Sequence, residues 1–501
     1  MKTSKLLKTI SWLSMLAIIS KMLAFLRESF ISFRYGVGFI TDIYFFEDGL
    51  VNIINSILTS IISSTFIPLY LEIKKEEDRK KYTNVVITVQ GIICIILLSF
   101  FMFFTNEILH ILVPGFYENY DMNYVIQLTR IFIPTLLMVF FENVLIVLLQ
   151  ANGYYVYANL QSLIINISLI GYLLFGYQFG IAGILITKII SHLILIFILL
   201  ISLKKKKLFK YKFTPNFKDD KLIKMFKLSL PVVIVSILSQ FNYLVDRTMS
   251  SLLPSGSMSL LSYASTIAML IYYVIGNSFN NVFYTIVSKV QNDKDEMTKE
   301  LIRFLKYLLR ILIPICTVIT IFSYNIVKIL YGRGEITESN LYSISYLVIL
   351  YLPGNLLLCV RDLLNRICYA TKYTYMTAIS ASFGFVLNIV LNLVLTKILG
   401  IYGLALATTL SSILATIILV SMIKFKKILL NFNFGFNILV VIRIAIVIFA
   451  NILISNICAK NLNFITNVIM VASCGIFTIL ITNIDIVKEY VMNKRKEKIE
   501  I

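Results

Sequence analysis

Charge is what this sequence has least of. Asp, Glu, Lys and Arg make up 14% of its 501 residues, while 58% are hydrophobic. No soluble protein of this length needs that much apolar surface. The two histidines, His110 and His192, are far apart in sequence, so a zinc site is not expected. Six cysteines (Cys94, Cys316, Cys359, Cys368, Cys458 and Cys474) lie in or near apolar runs without CxxC spacing. They are expected to pack as small apolar side chains, not as disulfides or metal ligands. The chain contains no GxxxxGK[ST], which excludes an ATP-driven engine within it, and no HExxH or GxSxG. The outward loops are short, with no room for a soluble catalytic domain. An enzyme is not expected, and neither is a cofactor.

What is present is length after length of apolar sequence. About fourteen runs of roughly 20 residues recur, each long enough to cross a hydrocarbon core of roughly 30 Å. They centre near residues 21, 57, 93, 138, 167, 192, 235, 272, 312, 353, 386, 413, 446 and 475. The second and eighth are long and carry polar residues. The first is not a signal peptide: it is too long, contains Arg27 and Glu28, and lacks a small-residue cleavage site.

The net charge of +20 is placed by topology, not by nucleic acid. Assigning alternate loops to opposite sides gives about 30 Lys and Arg on one side and about 5 on the other. The rich side holds Lys74, Lys75, Arg79, Lys80 and Lys81, nine lysines from Lys204 to Lys224, the Lys424–Lys427 cluster, and a tail with Lys494, Arg495, Lys496 and Lys498. The loop from Thr105 to Asn123 has neither Lys nor Arg. Both termini are therefore expected in the cytoplasm, with the basic clusters against anionic lipid.

A shift of 218–220 residues aligns several landmarks. Pro134 meets Pro353, Ala151 meets Ala370, Gly180 and Gly183 meet Gly400 and Gly403, Gly38 meets Gly256, and Tyr44 meets Tyr263. Six spans separate the copies, an even number, so both share one orientation: a parallel repeat. The expected fold is an all-α polytopic membrane protein of about 14 transmembrane helices. Residues 1–221 form a first six-helix lobe, 222–428 a second, and 429–501 a C-terminal helix pair and basic tail.

Charged residues inside the runs carry the functional reading. A charge at mid-bilayer costs roughly 2.5–3.5 kcal/mol, so such residues usually face a cavity or a partner. Arg27 and Glu28 sit inside the first run, and Asp246 and Arg247 repeat the pair in the seventh with the signs swapped. Ser20, Arg27 and Arg34 are seven apart and share a helix face, as do Lys21 and Glu28. Asp42, Glu47 and Asp48 open the second run. Two alternatives stand for the first-span charges: a hydrated cavity, or an ion pair that fixes helix packing. Asn388 and Asn392 share a face of the eleventh run, and Thr408 lies in the twelfth. With Asp246 they could hold a small monovalent cation; hydrogen bonding between helices is the competing use. Arg130, Glu142, Lys188, Arg361, Asp362 and Arg443 are further charges in the runs.

The segment Ser20-Lys21-Met22-Leu23-Ala24-Phe25-Leu26-Arg27-Glu28, with Tyr35-Gly36-Val37-Gly38, Thr41-Asp42-Ile43-Tyr44-Phe45-Phe46 and Phe66-Ile67-Pro68, resembles the opening of the MurJ (MviN) family. That family belongs to the superfamily holding the MATE exporters and polysaccharide flippases. Val113-Pro114-Gly115-Phe116, Asp246-Arg247 with Leu253-Pro254-Ser255-Gly256-Ser257, and Arg333-Gly334 extend the likeness over nearly the whole chain. The resemblance implies a flippase that moves lipid II, the undecaprenyl-diphosphate-linked peptidoglycan precursor, across the bacterial cytoplasmic membrane. Two lobes rock to give alternating access. Arg27 is implied as the diphosphate contact, with Glu28, Asp42, Lys21 and Ser20 shaping the site, and guanidinium suits phosphate bidentately. Asp246, Asn388, Asn392 and Thr408 match a sodium site, so sodium or the membrane potential is the implied driving force.

The chain also departs from the pattern. Asn392 stands where a carboxylate is expected, Asn55 and Ser56 replace a basic pair, and Ala264-Ser265-Thr266 lacks an arginine that Arg247 or Lys21 would replace. Lipid II and membrane lipids are the expected partners, nucleic acid is not, and a monomer is expected. The alternative cargo is another polyprenyl-linked oligosaccharide. A cation-coupled drug exporter and a membrane glycan polymerase or ligase are weaker readings.

Overall fold

In a computed structural model, residues 3–429, 450–451 and 464–482 are described. The expected span near residue 446, together with Arg443 and Cys458, lies outside them. The long helices are α1 (Thr3–Tyr35), α2 (Phe39–Ile61), α3 (Glu76–Phe103), α4 (Met122–Ala151), α5 (Tyr157–Phe175), α6 (Gly180–Lys205) and α7 (Asp220–Ser251). They continue as α8 (Ser257–Val287), α9 (Lys294–Ile321), α10 (Glu338–Ala370), α11 (Thr374–Leu399), α12 (Ile401–Phe425) and α13 (Phe464–Thr482). Among the described residues there is no strand. Eight helices, α3, α4, α6 and α8–α12, are long and apolar enough to cross a membrane. At about 1.5 Å per residue each exceeds the roughly 30 Å of a hydrocarbon core.

The burial pattern is inverted relative to a soluble protein. On α6, Ile190, Leu193, Ile194 and Phe197 are exposed while Lys188, Ser191 and His192 are buried. On α11, Phe383, Val386, Val390 and Leu393 are exposed, while Ser380, Gly384, Asn388 and Asn392 are buried. Apolar groups outside and polar groups inside suit a lipid solvent, because a polar group facing hydrocarbon loses its hydrogen bonds to water. The chain is a multi-pass membrane protein.

Helix ends follow local chemistry. The carboxylates of Asp219 and Asp293 and the hydroxyl of Thr337 accept from the first backbone N–H groups of α7, α9 and α10. Gly180 and Gly400, at φ 62° and 56°, begin the turns into α6 and α12. Ala151 and Ala370 close α4 and α10. These paired positions are separated by the offset of the sequence landmarks. The two long polar runs share a further feature: α2 leads into a π-turn at Ile62–Phe66, and α8 contains one at Tyr272–Gly276.

By contacts the chain divides into two compact units, Met1–Ser259 and Leu260–Ile501. In the first, a core of Phe66, Tyr70, Tyr82, Val86, Phe140, Val144 and Leu148 ties α3 and α4 to the segment after α2. In the second, α10, α11 and α12 pack together, and Thr409 of α12 donates to the Leu350 carbonyl of α10 at 2.6 Å.

Candidate functional site

The first unit buries an unusual number of charges. Arg27, on α1, lies 3.6 Å from Glu28, with both side chains about nine-tenths buried. Its guanidinium carbon sits 5.9 Å from the centre of the Tyr44 ring on α2. Lys188, on α6, reaches the same ring at 4.7 Å and binds Asp48 of α2 at 2.7 Å. Tyr44 thus serves two cations through its ring, an attraction that grows when water is excluded. Glu47, fully buried, feels the Lys188 charge, and Asp48 feels Arg27 and Arg247 as well as Lys188.

Arg247, on α7, stacks over Tyr243 at 4.7 Å and donates to its hydroxyl. Gly49 makes room for that tyrosine: a Cβ there would stand 2.9 Å from the Tyr243 ring. Lys21 interacts with Glu28 and Arg27 from the exposed side of α1. Ser20 is buried, and Asn166 of α5 donates to its carbonyl at 3.4 Å. The cluster therefore gathers four cations (Lys21, Arg27, Lys188, Arg247) and the carboxylates of Glu28, Glu47 and Asp48, with Asp246 next to Arg247 on α7.

Several buried atoms of the cluster have no hydrogen-bond partner among the described residues: Nε of Arg27, Oγ of Ser20 and the Tyr44 hydroxyl. Buried polar atoms are usually satisfied, and exceptions at this density mark a place where a ligand or water completes the set.

Asp42 does something different. Its carboxylate accepts from the backbone N–H of Gly256 at 2.7 Å and of Ser259 at 2.8 Å, from the Ser259 hydroxyl, and from Tyr120 at 2.8 Å. It caps the first turn of α8 from the start of α2, where orphan N–H groups and the helix dipole favour an anion. Burial first, then the Asp42 charge, hold the Tyr120 phenol well above its ordinary value, so it stays protonated and donates. Gly256, at φ 90°, permits the turn, and a Cβ on it would come within 2.5 Å of Val37. The sequence set Asp42 beside Arg27; its carboxylate partners are these groups.

Arg34, on the Ser20–Arg27 face, lies in the last turn of α1. It donates to the Leu173 carbonyl at 3.1 Å and stacks on Tyr177 at 3.9 Å. Arg130 is exposed.

The four cation-site residues divide between the units. Asp246 is half-buried on α7 in the first. Asn388, Asn392 and Thr408 belong to the second. Asn392 donates to the Asn388 side-chain oxygen at 3.1 Å, both fully buried, and Thr408 donates to the Leu404 carbonyl of its own helix at 3.0 Å. Among the described residues no group of three or more His, Cys, Asp or Glu is placed to hold a metal.

Lys188 is the residue whose role sequence reasoning missed. It was visible only as one charge in a run. Its partner Asp48 is 140 positions away, a separation no helical period reports.

The chain is similar to known proteins over most of its length. The sequence model of the family described as Lipid II flippase MurJ matches residues 31–482. A curated relative from Buchnera aphidicola subsp. Acyrthosiphon pisum, named a probable lipid II flippase MurJ, is 24% identical over 81% of each chain. One of the same name from Thermotoga maritima is 23% identical over 84% of this chain and 86% of its own. A solved lipid II flippase MurJ in an inward closed conformation superposes with a TM-score of 0.80 at 23% identity, covering 95% of this chain and 99% of that one. An inward-facing multidrug MATE transporter reaches 0.67 at 13% identity over 81% and 94%.

Proposed function

We infer the activity from a premise of kinship: the chain belongs to the lipid II flippase MurJ family. Its function is to move lipid II from the inner to the outer leaflet of the bacterial cytoplasmic membrane by alternating access. It is a transporter and not a catalyst. The observation that carries this reading is the buried cluster around Tyr44. Its gathered cations and the unpartnered Arg27 Nε suit a diphosphate, which offers acceptor oxygens and negative charge together. Arg27 would bind the diphosphate, and Arg247 would supply the charge absent from the Ala264–Thr266 segment. Lys21 and Ser20 would flank the entry. Glu28 and Asp48 would hold the cations in place and keep the site from closing on the anion permanently.

Alternating access would come from two six-helix lobes, residues 1–221 and 222–428, rocking against each other, with a further helix pair in 429–501. Fourteen spans, cytoplasmic termini and a monomer belong to the same proposal, supported by the basic loops and the repeat. For the driving force we favour sodium or the membrane potential.

Complementation tests the activity directly. Expression in a strain depleted of its lipid II flippase should restore growth and outer-leaflet lipid II. Failure of a well-expressed protein to do either would leave another polyprenyl-linked saccharide as cargo. Replacing sodium by potassium in proteoliposomes should slow translocation if sodium drives it, and leave the rate unchanged if the potential does.

A further inference from the structure

A second buried charge pair lies in the first unit, away from the Tyr44 cluster, and the transport reading does not use it. Glu142, two-thirds of the way along α4, is fully buried. His192, at the middle of α6, is 3% exposed. The Nδ1 atom of His192 stands 2.9 Å and 3.0 Å from the two carboxylate oxygens, and Gln161 of α5 donates to one of them at 3.0 Å. Both groups lie at membrane depth, where an ionisable residue is expensive and an apolar substitute would pack at least as well. A neutral histidine could have been hydrogen-bonded by an amide; a carboxylate brings a second proton acceptor to the same place.

The surroundings connect this pair to the substrate cluster. Lys188 precedes His192 by one helical turn on the same buried face of α6, and it holds Asp48. Asn143, next to Glu142, donates to Asn55 of α2 at 2.7 Å and accepts from Thr59 at 2.8 Å. So α2 is tied to α4 beside Glu142 and to α6 beside His192. The groups acting directly on Glu142 are His192 and the neutral Gln161. Helix α3, which packs on α4, buries Gln90 and carries Cys94. The remaining charges nearby are Lys188 on α6 and its partners Glu47 and Asp48 on α2.

We propose that Glu142 and His192 form a proton-binding site of the first unit, whose occupancy sets the position of α6 and thereby gates the Lys188–Asp48 side of the substrate cluster. One proton moves between solvent and the pair. It adds to the carboxylate or to Nδ1 and leaves by the same bond, and no other group is consumed. With the proton bound, the imidazole and carboxyl share it and draw α6 to α4. Without it, the carboxylate keeps at most a hydrogen bond from a neutral imidazole, and the hold between α6 and α4 weakens. The proposal rests on the transport reading for its readout but not for its existence.

The test uses the full chain in proteoliposomes with fluorescent lipid II. Wild-type translocation should change with pH, approaching tenfold per unit on the limb where a single proton is bound. E142Q and H192Q should both translocate with a flat profile; E142Q keeps an acceptor for Gln161, and H192Q leaves the carboxylate its Gln161 bond. Infrared difference spectra of the same proteins between two pH values supply a reading free of transport. A carboxylic acid or imidazolium band should be present in the wild type and missing in E142Q. A wild-type pH profile retained in E142Q, or a wild-type spectrum indistinguishable from that of E142Q, overturns the site. Absence of translocation in the wild type at every pH would instead overturn the flippase reading, and the infrared comparison would then decide the proton site alone.

Discussion

The two compact units bury different chemistry within helices of the same kind. In the first, the interior pairs full charges, Arg27 with Glu28 and Lys188 with Asp48, and sets the His192 imidazole against the Glu142 carboxyl group. In the second, the interior pairs amides and hydroxyls: Asn392 with Asn388, Thr409 with the Leu350 carbonyl, Ser412 with the Gly354 carbonyl. Its ion pairs, Arg303–Glu300 and Lys328–Glu338, have an exposed member each. The position that answers Glu142 at the repeat offset is Arg361–Asp362, and there Asp362 takes a phenol hydrogen bond from Tyr272 at 2.6 Å. Membrane helices packed against one another use hydrogen bonds between them in both units. Full charges are expensive in both: the first unit gathers its cations and carboxylates around Tyr44, while the second sets a single adjacent pair, Arg361 and Asp362, inside α10.

That contrast can be attacked through stability first. Lys188→Met removes the direct cation partner of half-buried Asp48, which keeps its Asn52 hydrogen bond, and should cost about 1.5–3 kcal/mol, read from thermal unfolding in detergent. Adding Asp48→Leu should recover most of the loss, because removing both charges costs less than orphaning one. If the single variant melts like the wild type, the charged interior is ornamental and the contrast collapses. Asp42→Asn comes next. It presents an amide where Gly256 or Ser259 donates, and leaving such a donor unpaired costs about 1–3 kcal/mol. In the second unit, Tyr272→Phe removes one hydrogen bond to Asp362 and should cost about 1–2 kcal/mol. Thr409→Val should cost only about 0.6 kcal/mol, the average for a hydrogen bond between membrane helices. A second-unit loss as large as that of Lys188→Met would erase the asymmetry.

The sequence made some of this visible and hid the rest for a physical reason. Helical runs, their apolar faces and the Gly180/Gly400 and Ala151/Ala370 landmarks are local properties, so length, hydropathy and offset reported them. Arg27 and Glu28 were conspicuous because a charge in an apolar run is costly wherever it points. Which charges meet was not legible. Asp48 finds Lys188 across 140 residues, and Asp42 finds Gly256 across 214. Asp42 and Asp48, one and a half turns apart on α2, therefore serve separate tasks, one capping α8 and one pairing with α6. The wide spacing of His110 and His192 says nothing of His192's partner, which is a carboxylate 50 residues away. Packing decides such pairings, and packing has no period in sequence.

The central claim is that the charged interior of the first unit binds the diphosphate of the cargo. It is tested most directly by lipid II translocation in proteoliposomes with Arg27→Gln beside Thr409→Val, both confirmed folded by thermal unfolding. Losing a charge-assisted contact worth about 1.5–3 kcal/mol should slow Arg27→Gln roughly 10–150-fold. The second-unit control should stay within about threefold of the wild type. Wild-type rates in Arg27→Gln would contradict the account.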